Sequence, residues 1–161
     1  MSKWLAVFSV LLLFGCSSSP APTSVQYKVS INADKSINQY QSKQSNPVVV
    51  RLYQLTDQQQ FKQLPFIDLY SDDTKLLGSK LVAKQVLPII VPNTKKDITI
   101  NVDKNTRYLA VLAEFANYQN SQSKSVTVLP TKSDQYFQLD IKDNKATIKV
   151  ITPKSSWWQI F

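Results

Sequence analysis

Apolar and polar residues alternate with a period of two over much of this chain, and the breaks in that rhythm mark its joints. In YKVSI, Tyr27, Val29 and Ile31 point one way and Lys28 and Ser30 the other, the pattern of a half-buried strand. The stretch ADKSINQYQSKQSN (33–46) then runs without apolar periodicity, longer than most loops in a compact domain. Pro47 opens PVVVRLYQL, where both faces carry bulk, so this strand is predicted to be central.

The period then changes. Asp57 is placed to cap a short helix over Gln58–Leu64, Pro65 interrupts it and starts a second turn in PFIDLYSD, and Gly78 is the stop. Phe61, Leu64, Phe66, Leu69 and Tyr70 supply its apolar side, read as a cap on the core rather than a ligand pocket.

After Gly78 the alternation returns. KLVAKQVLPIIVP carries Pro88 and Pro92, which cannot donate ladder bonds, so it belongs at an edge. Ile98, Ile100 and Val102 form the next strand, and Asp103–Thr106 is a turn of hairpin length before RYLAVLAEFA, which reads as buried on both faces. A second polar loop, Asn117–Ser125, precedes SVTVLP. A last hairpin pairs YFQLDI with KATIKVI across Lys142–Lys145. The expectation is a mainly β chain: a two-layer antiparallel sandwich with a short helical insertion.

Composition narrows the chemistry. Of 161 residues none is histidine, which removes the commonest general base and the commonest nitrogen ligand for transition metals. Two glycines allow no phosphate-binding loop, and one cysteine allows no internal disulfide. The adjacent acids Asp72-Asp73 sit in SDDTK and read as a turn or helix cap rather than a catalytic pair. No enzyme, metal or cofactor is therefore expected. The net charge of +8 is dispersed, with Lys142, Lys145, Lys149 and Lys154 interleaved among strand residues as on a solvated sheet face. It forms no nucleic-acid stripe.

The single cysteine, Cys16, follows a basic start, an apolar run from Trp4 to Phe14, and Gly15. That is the grammar of a secretion signal, too short for a permanent bilayer span. Ser17–Ser24 after it reads as a flexible tether, reaching at most roughly 27 Å. Leu13-Phe14-Gly15-Cys16 resembles the lipobox of bacterial lipoproteins, with Phe14 bulkier than the usual small residue. The resemblance implies cleavage before Cys16 and acylation of its thiol and new amine. Ser17 implies passage to the outer membrane. The alternative is an ordinary cleaved signal whose cysteine falls near the cut. The chain thus divides into a signal peptide (1–15), a lipidated cysteine with tether (16–24) and one domain (25–161).

PVVVRLYQL, F-x-x-L-P-F, DLYSDDTKLLG and RYLAVLAEF, in this order behind a lipobox, resemble the TssJ family, outer-membrane lipoproteins of type VI secretion systems. Two departures stand out: Pro92-Asn93 where relatives tend to have Pro-Gly, and Ala116-Asn117 where they often have an arginine. The resemblance implies a transthyretin-like sandwich, lipid-anchored on the outer membrane and facing the periplasm. It implies a partner too, the periplasmic C-terminal domain of TssM, with TssL in the same trans-envelope complex. The expected contact is the long first loop: Asp34, Lys35, Ser36, Ile37, Asn38, Gln39, Tyr40 and Gln41, with Tyr40 as hot spot. Asn117–Ser125 is the runner-up.

A competing reading is a periplasmic glycan- or small-ligand-binding lipoprotein that uses Trp157-Trp158 and the Phe61–Tyr70 cluster. The tryptophan pair is also open to a place at the membrane interface, or to packing across an end of the sandwich.

Overall fold

A computed structural model describes residues 23–41 and 43–153. The signal segment, Cys16, most of the tether, Trp157, Trp158 and Phe161 lie outside the described residues.

The strands are β1 (Ser24–Ala33), β2 (Val50–Leu55), β3 (Leu81–Val86), β4 (Lys95–Asp103), β5 (Tyr108–Ala113), β6 (Lys124–Val128), β7 (Tyr136–Lys142) and β8 (Lys145–Ile151). They form two four-stranded sheets, ordered β4-β1-β7-β8 and β3-β2-β5-β6. Alternating side chains fill the space between them. Val29 and Ile31 of β1, Phe137 and Leu139 of β7, Val50 and Leu52 of β2, and Leu109 and Val111 of β5 share one core. The strands expected to be two-faced, β2 and β5, are the central pair of the second sheet, and β3 is at its edge.

The outer face of the second sheet is covered by α1 (Gln59–Gln63) and α2 (Phe66–Leu77). Tyr53, Leu55, Ala110 and Leu112 meet Phe61, Leu69 and Leu77 there in a second core. Asp57 Oδ1 accepts the Gln59 amide at 2.9 Å, Pro65 stands just before α2, and Gly78 ends it with φ 49°.

Three expectations change. The segment SDDTK is no simple turn: α2 runs through it with a kink at Asp72 (φ −147°, ψ 45°). The Asp103–Thr106 turn closes no hairpin, because β4 and β5 belong to different sheets. Buried Gln54 fixes this crossing. Its Nε2 donates to the Asn101 carbonyl at 2.8 Å, and its Oε1 accepts the Asp103 amide at 2.8 Å and the Thr106 hydroxyl at 3.1 Å. The sandwich is also not wholly antiparallel, since β1 and β7 pair in parallel.

That parallel pair sets the ends of the molecule. β1 and β7 start at the end where the tether arrives and run to the other, where the β1–β2 loop begins. Ten extended residues put about 33 Å between Thr23 and that loop.

Candidate partner-binding surface

The β1–β2 loop (34–49) is long but not loose. The Asp34 amide donates to the Ile141 carbonyl at 2.9 Å, and the Asp34 carbonyl accepts the Asn93 amide at 3.1 Å. Ile37 is fully buried in the inter-sheet core. Asn38 is the hub. Its amide donates to the Asp143 carbonyl at 2.8 Å and its Nδ2 to the Pro47 carbonyl at 2.7 Å, while its Oδ1 accepts the Ala116 amide at 2.8 Å. Asparagine suits this place because Asn38 sits at φ 52°, a region its short polar side chain tolerates.

Asn46 closes the neck. Its amide donates to the Ile37 carbonyl at 3.2 Å and its Nδ2 to the Asn38 carbonyl at 3.1 Å. Residues 39–41 and 43–45 thus lie beyond a closed neck, as an exposed lobe. Gln39 crosses it to Ser45 at 3.3 Å, and Asn144 holds the Gln39 carbonyl at 3.1 Å. Tyr40, Gln41, Lys43 and Gln44 are exposed. Gln41 (φ 56°) and Lys43 (φ 54°) take left-handed backbone without being glycine, strain of order 1–3 kcal/mol each that the neck must hold.

The expected contact residues therefore separate into two groups. Ile37 and Asn38 are buried and build the base, so their side chains offer nothing to a partner. Lys35, Tyr40 and Gln41 are exposed, and Asp34, Ser36 and Gln39 are half-buried. The runner-up loop, Asn117–Ser125, is a neighbour of the first. Through the Asn38–Ala116 bond and the Gln122 amide on the Asn144 carbonyl at 2.9 Å, it lies against the same base.

Beside the lobe, the start of α2 presents rings. Phe66 stacks on Tyr118 at 5.0 Å and on Tyr70 at 5.7 Å, and the Arg51 guanidinium lies 5.1 Å from the Tyr70 ring centre. Phe61 and Leu69 are in the core, so the Phe61–Tyr70 stretch is only partly a surface.

Beneath the rings is a charge cluster that sequence reading missed. Asp73 is buried and accepts the Tyr53 hydroxyl at 2.8 Å, Arg51 Nη1 at 3.2 Å and the Lys84 ammonium. Arg51 Nε also donates to Glu114 at 2.6 Å. Burial alone would raise the Asp73 carboxyl. The bonds from Lys84, Tyr53, Thr74 and Arg51 outweigh it and hold the group down to about 2. For Arg51, burial pulls down, but Glu114 prevails and raises it; burial and the bond to Asp73 push the Tyr53 hydroxyl up. This arrangement orders a helix on a sheet. Among the described residues no three His, Cys, Asp or Glu gather as metal ligands, and no helix is long and apolar enough to cross a membrane.

A model of the type VI secretion lipoproteins (T6SS-SciN; VasD, EvfM, TssJ, VC_A0113) matches residues 25–150. The chain belongs to this family. The lipoprotein TssJ1 from Pseudomonas aeruginosa has a similar structure: TM-score 0.73 at 18% identity, over 81% of this chain and 99% of that one. Serratia marcescens Lip, a membrane-bound component of the type VI secretion system, gives 0.69 at 19%, over 81% and 99%. A chain of the structure described as the TssM C-terminal domain from EAEC gives 0.62 at 20%, over 76% and 98%. Among curated proteins none matches the sequence. At such identities these likenesses establish a shared sandwich; the family follows from the sequence model.

Both family departures now have a setting. Asn93 takes a left-handed φ of 61°, which asparagine tolerates. Ala116 gives its amide to Asn38 Oδ1 and thereby joins the two loops. No single-residue signal announces Asp73: its partners Arg51, Tyr53 and Lys84 are distant in sequence and meet only when α2 folds back on β2 and β3.

Proposed function

We propose that this type VI secretion lipoprotein is acylated at Cys16, sits on the outer membrane facing the periplasm, and binds the periplasmic C-terminal domain of TssM. TssL completes the same trans-envelope complex. The role is mechanical rather than catalytic: acyl chains grip lipid, the sandwich carries load, and the end remote from the tether holds the partner.

One observation carries the reading. Nine large apolar side chains are exposed among the described residues. Val25 and Val128 lie at the tether end. The other seven, Tyr40, Ile67, Tyr70, Val86, Ile89, Val91 and Tyr118, are on the half nearer the lobe. Ile67, Tyr70 and Tyr118 line one cavity there, and grouped apolar exposure of this kind marks interaction surfaces. A chain anchored at one end and apolar at the other is suited to bridge a membrane and a protein. The neck bonds of Asn46 to Ile37 and Asn38 hold the two ends of the lobe together, which reduces the ordering entropy a contact there must lose.

Two variants of the full chain test this. Replacing residues 39–45 by a short glycine-containing turn should abolish capture by the TssM periplasmic domain while leaving the β-sheet circular-dichroism spectrum intact. Cys16→Ser should remove the chain from the outer-membrane fraction. Undiminished capture by the lobe variant, or unchanged fractionation of Cys16→Ser, overturns the corresponding half of the reading.

A further inference from the structure

We infer that the ring ledge formed by Phe66, Ile67, Tyr70 and Tyr118 is a second docking site, occupied by a large apolar side chain on a segment of the partner that the lobe engages. The inference rests on the protein-binding reading above and gives it a second point of attachment.

The ledge is built, not incidental. Ile67, Tyr70 and Tyr118 are 47%, 45% and 38% exposed, yet they surround an open cavity of about 330 Å³ instead of standing apart. Phe115, Ala116 and Glu114 complete its lining. A cavity of that volume accommodates one large side chain with part of its main chain, the geometry in which interface hot spots concentrate.

Its walls are fixed in advance. Phe66 is clamped between Tyr70 and Tyr118, with ring planes 20° and 17° apart. The Arg51 guanidinium lies on Tyr70 and also donates to the Tyr70 carbonyl at 3.0 Å. Arg51 is in turn held by Asp73 and Glu114. The buried cluster thus has a consequence at the surface: it keeps the rings in place without lending them charge. Glu114, the one charged residue in the lining, is tied through Oε1 to Arg51 Nε. The rest of the lining is mainly aromatic and aliphatic, which favours an apolar occupant.

Continuity decides that the occupant belongs to the same partner. Ala116, in the lining, gives its amide to Asn38 Oδ1, and Asn38 closes the neck of the lobe with Asn46. Lobe and ledge stand on one hydrogen-bonded base, so a segment bound at the lobe has its neighbouring residues beside the cavity. Two weak contacts joined in this way raise affinity through effective concentration.

The test measures the Kd of the full chain for the TssM periplasmic domain with Ile67→Asp, Tyr118→Ala and Tyr118→Phe. The side chains of Ile67 and Tyr118 lie outside both cores, so thermal midpoints should hold. The first two variants should weaken binding at least tenfold, whereas Tyr118→Phe, which keeps the ring, should bind within about threefold of the parent. Wild-type affinity for Ile67→Asp and Tyr118→Ala, with capture still lost in the lobe variant, overturns the ledge and leaves the lobe standing. Wild-type affinity in all variants, the lobe variant included, removes both. A chitooligosaccharide titration that shifts the Tyr70 and Tyr118 NMR signals overturns the assignment in favour of a glycan.

Discussion

The two sheets have equal strand numbers and share one inner core, but their outer faces follow opposite rules. The outer face of β4-β1-β7-β8 meets water. Lys28 pairs there with Asp97 at 3.0 Å and Lys149 with Asp140 at 2.7 Å, on side chains that are largely or partly exposed. The outer face of β3-β2-β5-β6 is sealed by α1 and α2, and its charges are shut in with it: Asp73 is 4% exposed and Arg51 20%. Ion pairs occur on both, so their presence teaches little. Their environment decides what they do. In water a pair is screened and near neutral in effect, whereas under a helix a charge is tolerable only while every partner stays in place.

The largest expected effect follows from breaking the buried side. Asp73→Ala strands the buried Tyr53 hydroxyl beneath α2 and removes one acceptor each from Lys84 and Arg51, which keep Thr74 and Glu114. Loss of one member of a buried charge network costs about 3–5 kcal/mol. Denaturant unfolding should therefore show a much lower midpoint. If the cost came only from lost attraction, adding Tyr53→Phe would change nothing further, because that bond is already gone. If the stranded hydroxyl contributes, Asp73→Ala/Tyr53→Phe should be more stable than Asp73→Ala alone.

A gentler probe is acid. Asp73 titrates at about 2 in the folded chain, below the ordinary value of 3.8. A carboxylate so depressed adds stability above the unfolded value and loses it as pH falls toward the folded one. The window is thus about pH 4 down to pH 2, and the amount is roughly 2 kcal/mol. In Asp73→Asn this component should vanish. Stability measured against pH should then fall less steeply in the variant than in the parent across that window.

The contrast also explains what could be read in advance. Period-two alternation reports a strand's two faces, so Val29, Ile31, Ile100 and Val102 declared the inner core. Bulk on both faces declared β2 and β5 central. Gly78 and Pro65 marked the helix ends because their backbone chemistry acts within a residue or two. Pairing between strands leaves no such local trace: the β1–β7 parallel register depends on residues more than 100 positions apart, and Gln54 turns an apparent hairpin into a crossing by bonding to Asn101 and Thr106. The site divides in the same way. A long polar loop was visible, but Ile37 and Asn38 look like surface residues in a polar stretch until the base that buries them exists. The ring ledge needs α2 and the residue 118 turn to meet, and no periodicity foretells that.

The smallest effect belongs to the solvated face and completes the comparison. Lys28 and Asp97 are 51% and 55% exposed, so water competes for both partners at every moment. Lys28 also lies 4.8 Å from the ring centre of half-buried Tyr136. Bonding to Lys28 holds the Asp97 carboxyl below its ordinary range, but at an exposed site added salt screens that attraction. Lys28→Ala should leave the denaturation midpoint at physiological salt indistinguishable from the parent, and raising salt should move parent and variant together. A clear loss would mean that this face is covered in solution, for instance by another molecule, and the contrast between the two outer faces would then describe an isolated chain rather than a working one.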